Sequence, residues 1–334
     1  MNFKDLLKNL VLILVSITVV FFVAEIGFRI YSNFVYIYDI EMYKYAKKLK
    51  QRSNYPGLSH EHIPKSEADL MHANIKINNL GFRDNDFNAD IDQDAYKILF
   101  IGSSITMGWG VPYDSVFTTL LEKQINENSN HKILIINSGI GNYNTVLEST
   151  YLKKIYDEVK PQLVVLHYFL NDSEIIEKKN ANFLIKNSYL IAYIYVKIKE
   201  TLAVNKYEFE DIGDYYKHLY LSGSKGWKDA QNAIIDIKKY CKENACDFIV
   251  LIQPDLHNFD YDSGQFYCHE LIHNFLYKNS IDYYDLFDDF ARSFSENPTD
   301  LWVNPDDPHP NTKGHYLMFE KSYDFISNSI RYSE

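Results

Sequence analysis

The chain reads as an α/β protein: a three-layer, doubly wound parallel sheet of about five strands, flavodoxin-like in arrangement, preceded by one transmembrane helix. Three observations predict this. Short apolar runs recur at 97–102 (KILFIG), 133–137 (ILIIN), 162–167 (QLVVLH), 247–253 (DFIVLIQ) and 281–286 (IDYYDL). Stretches with 3.6-residue periodicity alternate with them, at 114–127, 145–158, 227–244, 264–278 and 312–330. Runs apolar on both faces belong to strands covered on both sides, and a helix between each pair makes the sheet parallel. The third observation is the uncharged run that opens the chain.

From Asn9 to Ala24 no residue is charged, and the apolar character continues past Glu25 and Arg29 to Ile30. That length makes about 33 Å of helix, enough for a hydrocarbon core of about 30 Å. Glu25 and Arg29 stand four apart, on one helical face, and are placed to pair. A cleavable signal peptide is the rival, with Lys4 and Lys8 as its positive start. Bulky Phe22, however, spoils the small-x-small pattern before Glu25. Residues 1–31 are therefore expected to be a cytoplasmic tail and uncleaved anchor, with Tyr31, Phe34, Tyr36 and Tyr38 as an interfacial belt. Lys44, Lys47, Lys48 and Lys50 follow the helix and oppose Lys4 and Lys8, so charge alone leaves the orientation open.

Residues 32–94 are Tyr-rich without regular period and read as a stalk and lead-in. Residues 95–334 form the domain, with an insertion at about 173–226. That insertion holds SYLIAYIYVKIKETL at 188–202, which reads either as a lid or membrane-facing helix, or as a helix packed on the domain.

At 334 residues and 46% apolar content the chain has ample surface to bury, which excludes a mini-protein and global disorder. A net charge of -11 argues against a general nucleic-acid binder. Cys241, Cys246 and Cys268 are too few for a disulfide scaffold or a four-thiolate zinc site. Cys241 and Cys246 are close enough to bridge in an oxidising compartment, but buried free thiols are the preferred reading.

Ligands of an open parallel sheet bind beyond the carboxyl ends of its strands. The loop after the first strand reads Gly102-Ser103-Ser104-Ile105-Thr106-Met107-Gly108, where glycines flanking a serine pair allow a tight strand-to-helix turn that exposes a hydroxyl. The second loop is NSGIGNYNT, 137–145; the third is Phe169-Leu170-Asn171-Asp172; the last is Asp306-Asp307-Pro308-His309-Pro310-Asn311. Together they offer a nucleophile, a base, an acid to orient it and neutral donors for an oxyanion. Each alone is ordinary turn chemistry.

These four ordered blocks, GSSITMG, NSGIGNYNT, FLND and DDPHPN, resemble the SGNH (GDSL-type) hydrolases, a family of esterases, lipases and acyltransferases. INNLGFRD at 77–84 also resembles the segment preceding the domain in membrane-anchored bacterial members. The resemblance implies Ser104 as nucleophile, His309 as general base and Asp306 as the residue orienting it. It also implies an oxyanion hole made by the Ser104 N–H, a glycine-block N–H from Asn142 or its neighbour Gly141, and the Asn171 side-chain amide. Three positions separate Asp306 from His309, so a single turn would bring both groups to Ser104. Ser103 replaces the family's aspartate, Phe169 replaces the glycine before Leu170-Asn171, and Asn142 falls where many members have glycine. The implied activity is a membrane-anchored esterase acting through an acyl-serine, with its domain outside the cytoplasm. O-acetyl groups on a surface glycan are one implied substrate. No cofactor or metal is needed by this chemistry.

Hydrolysis and O-acyl transfer share the acyl-serine and stay undivided by sequence. An inactive binding protein that kept the fold is a further alternative. So is a zinc metalloprotease, since His269-Glu270-Leu271-Ile272-His273 fits H-E-x-x-H on an expected helix. Against it, no third ligand follows at metzincin spacing. His60 and His62 read as loop residues.

Overall fold

A computed structural model describes residues 3–86, 94–176, 182–207, 209, 211–294 and 296–331. The chain divides into two compact units, one of residues 1–44 and 179–208, the other of 45–178 and 209–334.

The smaller unit is built on helix α1 (Phe3–Tyr31), which is long and apolar enough to cross a membrane and whose apolar stretch is only 6% buried. Helix α2 (Tyr38–Lys48) begins in this unit and ends in the other. Near the end of α1, Glu25 is buried and accepts hydrogen bonds from Ser188 Oγ, Tyr189 N and Leu190 N at 2.7, 2.9 and 3.0 Å. Arg29 Nε donates to Glu25 at 2.6 Å, while its Nη2 donates to Asn187 O at 2.7 Å. The Glu25–Arg29 spacing thus forms its pair and also reaches the start of a later helix in the same unit.

The larger unit begins with two hairpins, β1 (Lys50–Arg52) with β2 (His60–His62) and β3 (Glu67–Leu70) with β4 (Ala73–Lys76). Met71 and His72 both have positive φ, 41° and 65°, as a two-residue hairpin turn with the twist of its strands demands. The segment expected as one stalk and lead-in is therefore divided: residues from Tyr45 onward fold with the domain.

The regular alternation follows: β5 (Tyr96–Gly102), α3 (Ser104–Met107), α4 (Phe117–Asn128), β6 (Ile133–Asn137), α5 (Thr145–Val159) and β7 (Leu163–Phe169). Next come α6 (Phe183–Asn187) and α7 (Tyr189–Tyr207), both in the smaller unit. The larger unit resumes with α8 (Ile212–Leu219), α9 (Lys225–Glu243), β8 (Asp247–Gln253), α10 (Gly264–Lys278) and β9 (Asp282–Asp285). It closes with α11 (Phe287–Phe294), the hairpin β10 (Trp302–Asn304) and β11 (Asp307–Pro310), and α12 (Thr312–Asn328).

Strands β6-β5-β7-β8-β9 lie in that order, all parallel. Alternate strand residues feed two cores. Leu99, Ile101, Val164, Leu166, Val250 and Ile252 pack under α5, α8, α9 and α10; Ile98, Phe100, Leu163, Val165, Ile249 and Leu251 pack under α4, α11 and α12. Both faces of the central strands are covered, which is why β5, β7 and β8 are largely apolar, whereas edge strand β9 (DYYD) is partly exposed. The order reverses at β5, and ligands of sheets of this kind bind beyond the carboxyl ends of the strands at such a switch point. Cys241, Cys246 and Cys268 are buried free thiols.

Candidate active site

The strand-to-helix turn after β5 is shaped by close packing. A Cβ at Gly102 would lie 1.9 Å from Thr106 Oγ1, and one at Gly139 in the neighbouring loop 2.4 Å from Met107 N. Only glycine lets the two loops approach this way. Ser104, the first residue of α3, presents its hydroxyl to His309, with Oγ 2.8 Å from Nε2.

His309 Nδ1 lies 2.5 Å from Asp307 Oδ1, which also accepts the His309 backbone N–H at 3.1 Å. Trp109 Nε1 donates to the other carboxylate oxygen at 2.7 Å. The Asp307 side chain is fully enclosed. Burial pushes its carboxyl upward, but the charge and hydrogen bonds of His309, with the Trp109 bond, outweigh this and hold it below its ordinary value.

Sequence expectation put Asp306 in this position. The structure places Asp306 in the exposed turn between β10 and β11, accepting a hydrogen bond from Asn304 Nδ2. The reason is backbone periodicity. Residues 307–310 are extended, so positions two apart share a face and Asp307, rather than Asp306, lies alongside His309.

Beyond β6, Asn142 adopts the left-handed conformation at φ 66°. Gly141 N donates to Tyr45 Oη at 3.0 Å, so that N–H is committed within the protein. Beyond β7, Asn171 is half-buried, and its Oδ1, an acceptor, is enclosed without a protein partner. Phe169, the departure before Leu170-Asn171, packs edge-on against Tyr216 with ring centroids 6.2 Å apart. The serine, histidine and aspartate are in direct contact; Asn142 and Asn171 sit on the loops beyond the strands flanking β5.

The lead-in contributes contacts that the sequence did not reveal, and His60 and His62, expected in a loop, form strand β2. Lys50 Nζ donates to Gly141 O and Asn142 Oδ1 at 2.7 and 2.8 Å, and His60 Nε2 lies 3.0 Å from Gly141 O. Lys50 as a whole is half-buried, yet its ammonium is enclosed, and that burial lowers it to about 7. Arg83, in the GFRD of the lead-in, is buried and donates to the carbonyls of Met107, Gly108 and Val111. Asp84 accepts from Tyr113 Oη at 2.6 Å and Asn137 N at 3.1 Å. The resemblance around INNLGFRD, 77–84, was the one signal for the Arg83 and Asp84 contacts, and none pointed to those of Lys50 and His60.

The described residues also hold H-E-x-x-H on α10 as expected. Glu270 is exposed, and the third group beside His269 and His273 is Asp285 of β9.

No protein-family model matches the chain, and no curated protein matches it. Among solved structures it is similar to that of TesA, at 11% identity over 70% of this chain and 99% of that one, with a TM-score of 0.47. It is also similar to the esterase EstA from Pseudoalteromonas sp. inhibited by monoethylphosphonate (16% identity, 70% and 97% coverage, TM-score 0.45). A third is the acetyl xylan esterase AlAXEase (15%, 69% and 99%, 0.41). Likeness this distant assigns no activity; the geometry of Ser104, His309 and Asp307 stands apart from it.

Proposed function

We propose that the chain is a membrane-anchored serine enzyme of SGNH type that cleaves acyl esters through an acyl-serine, with Ser104, His309 and Asp307 as its triad. The observation that carries the reading is the continuous relay from Ser104 Oγ through His309 to Asp307, with contacts of 2.8 and 2.5 Å at the carboxyl end of a parallel sheet.

Ser104 Oγ attacks the ester carbonyl carbon while His309 Nε2 takes its proton. The Asp307 carboxylate orients the ring through Nδ1 and stabilises the imidazolium. The oxyanion is received by N–H groups of Ser104 and Asn142 and by the Asn171 amide. As the tetrahedral adduct collapses, the C–O bond to the alcohol breaks and His309 returns the proton to that oxygen. Water, activated by the same histidine, then releases the acid and restores Ser104; a sugar hydroxyl in its place would make the enzyme an O-acyltransferase. Short acyl groups, such as O-acetyl on an extracytoplasmic glycan, suit this chemistry.

Retention of α1 as an anchor is supported by Glu25, whose hydrogen bonds to residues 188–190 build the end of that helix into a folded unit. The test is turnover of p-nitrophenyl acetate by the full chain in detergent. Wild type should hydrolyse it and bind one phosphonate covalently at Ser104; Ser104→Ala should do neither. Activity surviving that substitution overturns the reading.

A further inference from the structure

The motif the proposed reaction leaves unused is His269 and His273. They lie one turn apart on α10, so their rings share a helix face. That face meets the carboxyl end of edge strand β9, where Asp285 Oδ2 stands 2.7 Å from His269 Nδ1 and 2.5 Å from His273 Nε2. All three donor atoms fall within 4.8 Å of one another. We propose that these side chains bind a divalent transition-metal cation of the Zn2+ class, which fastens α10 to β9.

Two nitrogens converging on one carboxylate oxygen make a mixed nitrogen and oxygen donor set, of the kind that suits zinc. In the metal-free arrangement two N–H protons point at one oxygen; on binding, each neutral imidazole carries its single proton on the other ring nitrogen, Nε2 of His269 and Nδ1 of His273, and gives the cation the lone pair of the cluster-side nitrogen. Ligands around a tetrahedral Zn2+ stand about 3.3 Å apart, given metal–ligand lengths of about 2.0 Å. The two contacts here therefore need to open by less than about 1 Å. The ring positions are already set: His269 packs against Phe287 at 5.0 Å, and His273 stacks on Tyr283 at 5.1 Å. Asp285 Oδ1 accepts from Phe287 N at 2.9 Å, which orients the carboxylate. His269 is fully enclosed and its Nε2 has no protein partner, so the ring's polar contact lies at Nδ1, in the cluster.

The His273 side chain is 34% exposed, which leaves an entry path and room for a water as fourth ligand. Exposed Glu270 is not part of the cluster, and β7 and β8 separate β9 from the strand that leads to Ser104. The bound ion is accordingly structural.

The test is calorimetric titration of the full chain, purified in detergent without a histidine tag and stripped with chelator, using ZnCl2. One equivalent should bind with micromolar or tighter affinity and raise the unfolding temperature. His273→Ala, at a partly exposed position, should weaken binding at least 10-fold, as should Asp285→Asn, while ester turnover by His273→Ala stays at the wild-type level. Absence of stoichiometric binding by wild type, or binding that His273→Ala leaves within twofold, overturns the site.

Discussion

Asp307 and His309 are two residues apart on one extended segment, and Asp307 Oδ1 lies 2.5 Å from His309 Nδ1. This relationship separates two adjacent aspartates by position, and the proposed triad gives them different expected effects. Asp307→Asn should lower kcat for ester turnover by about 10³- to 10⁴-fold, because the imidazole loses its orienting carboxylate. Asp306→Asn should stay within about threefold, since Asp306 occupies an exposed turn. Steady-state kinetics of the two variants checks both, and equal losses would refute the assignment.

That separation also marks where sequence stops being informative. KILFIG is legible as a strand because both of its faces are buried, and a run apolar on both faces has few other uses. The choice between Asp306 and Asp307 depends on whether 307–310 is turn or strand. Pro308 and Pro310 disguise the strand, since proline lacks the N–H that a sheet ladder uses. The contact of Lys50 with Gly141 spans 91 residues, and no local periodicity encodes it. The four loops were thus readable from the apolar runs they follow and the motifs they carry, while the residues supporting them were not.

Lys50 and Tyr45 hold the glycine-block loop from below. A Cβ at Gly141 would lie 2.6 Å from the Tyr45 ring, and Lys50 Nζ crosses that ring at 4.2 Å. Lys50→Met should reduce kcat about 10- to 100-fold through a displaced Asn142 N–H, with KM changing less. Stability gives an independent readout. Between about 7 and the ordinary lysine value of 10.5 the unfolded chain binds the proton that folded Lys50 has lost, so wild-type stability should rise with pH in that window. Lys50→Met should lack that rise in denaturant titrations at pH 7 and pH 9.

Arg83 ties the lead-in to the turn after α3 by donating to three carbonyls, those of Met107, Gly108 and Val111. Arg83→Met leaves these acceptors buried without a donor, at about 1 kcal/mol or more each. The expected loss of roughly 3 kcal/mol lowers the unfolding temperature by about 6 to 12 °C. Thermal unfolding measures it, and a shift under about 2 °C would show that water replaces the guanidinium.

Glu148 and Asp172 are both buried, on α5 and in the turn after β7, and Glu148 has both carboxylate oxygens without a protein partner. Burial drives both groups well above their ordinary values; the Asp172 charge adds to the effect on Glu148, and the Phe169 N–H opposes it at Asp172. The folded chain therefore holds protons that the unfolded chain releases above pH 4.5. Folding stability should fall as pH rises from that value through the raised folded-state values. Glu148→Gln keeps the shape of the neutral acid and removes one titration. It should match wild type near pH 5 and exceed it at pH 8, by about 2 to 4 °C in unfolding temperature for each kcal/mol recovered. Parallel melts at the two pH values decide the matter, and a variant less stable than wild type at pH 8 would mean that the Glu148 carboxylate is charged and satisfied in the folded protein.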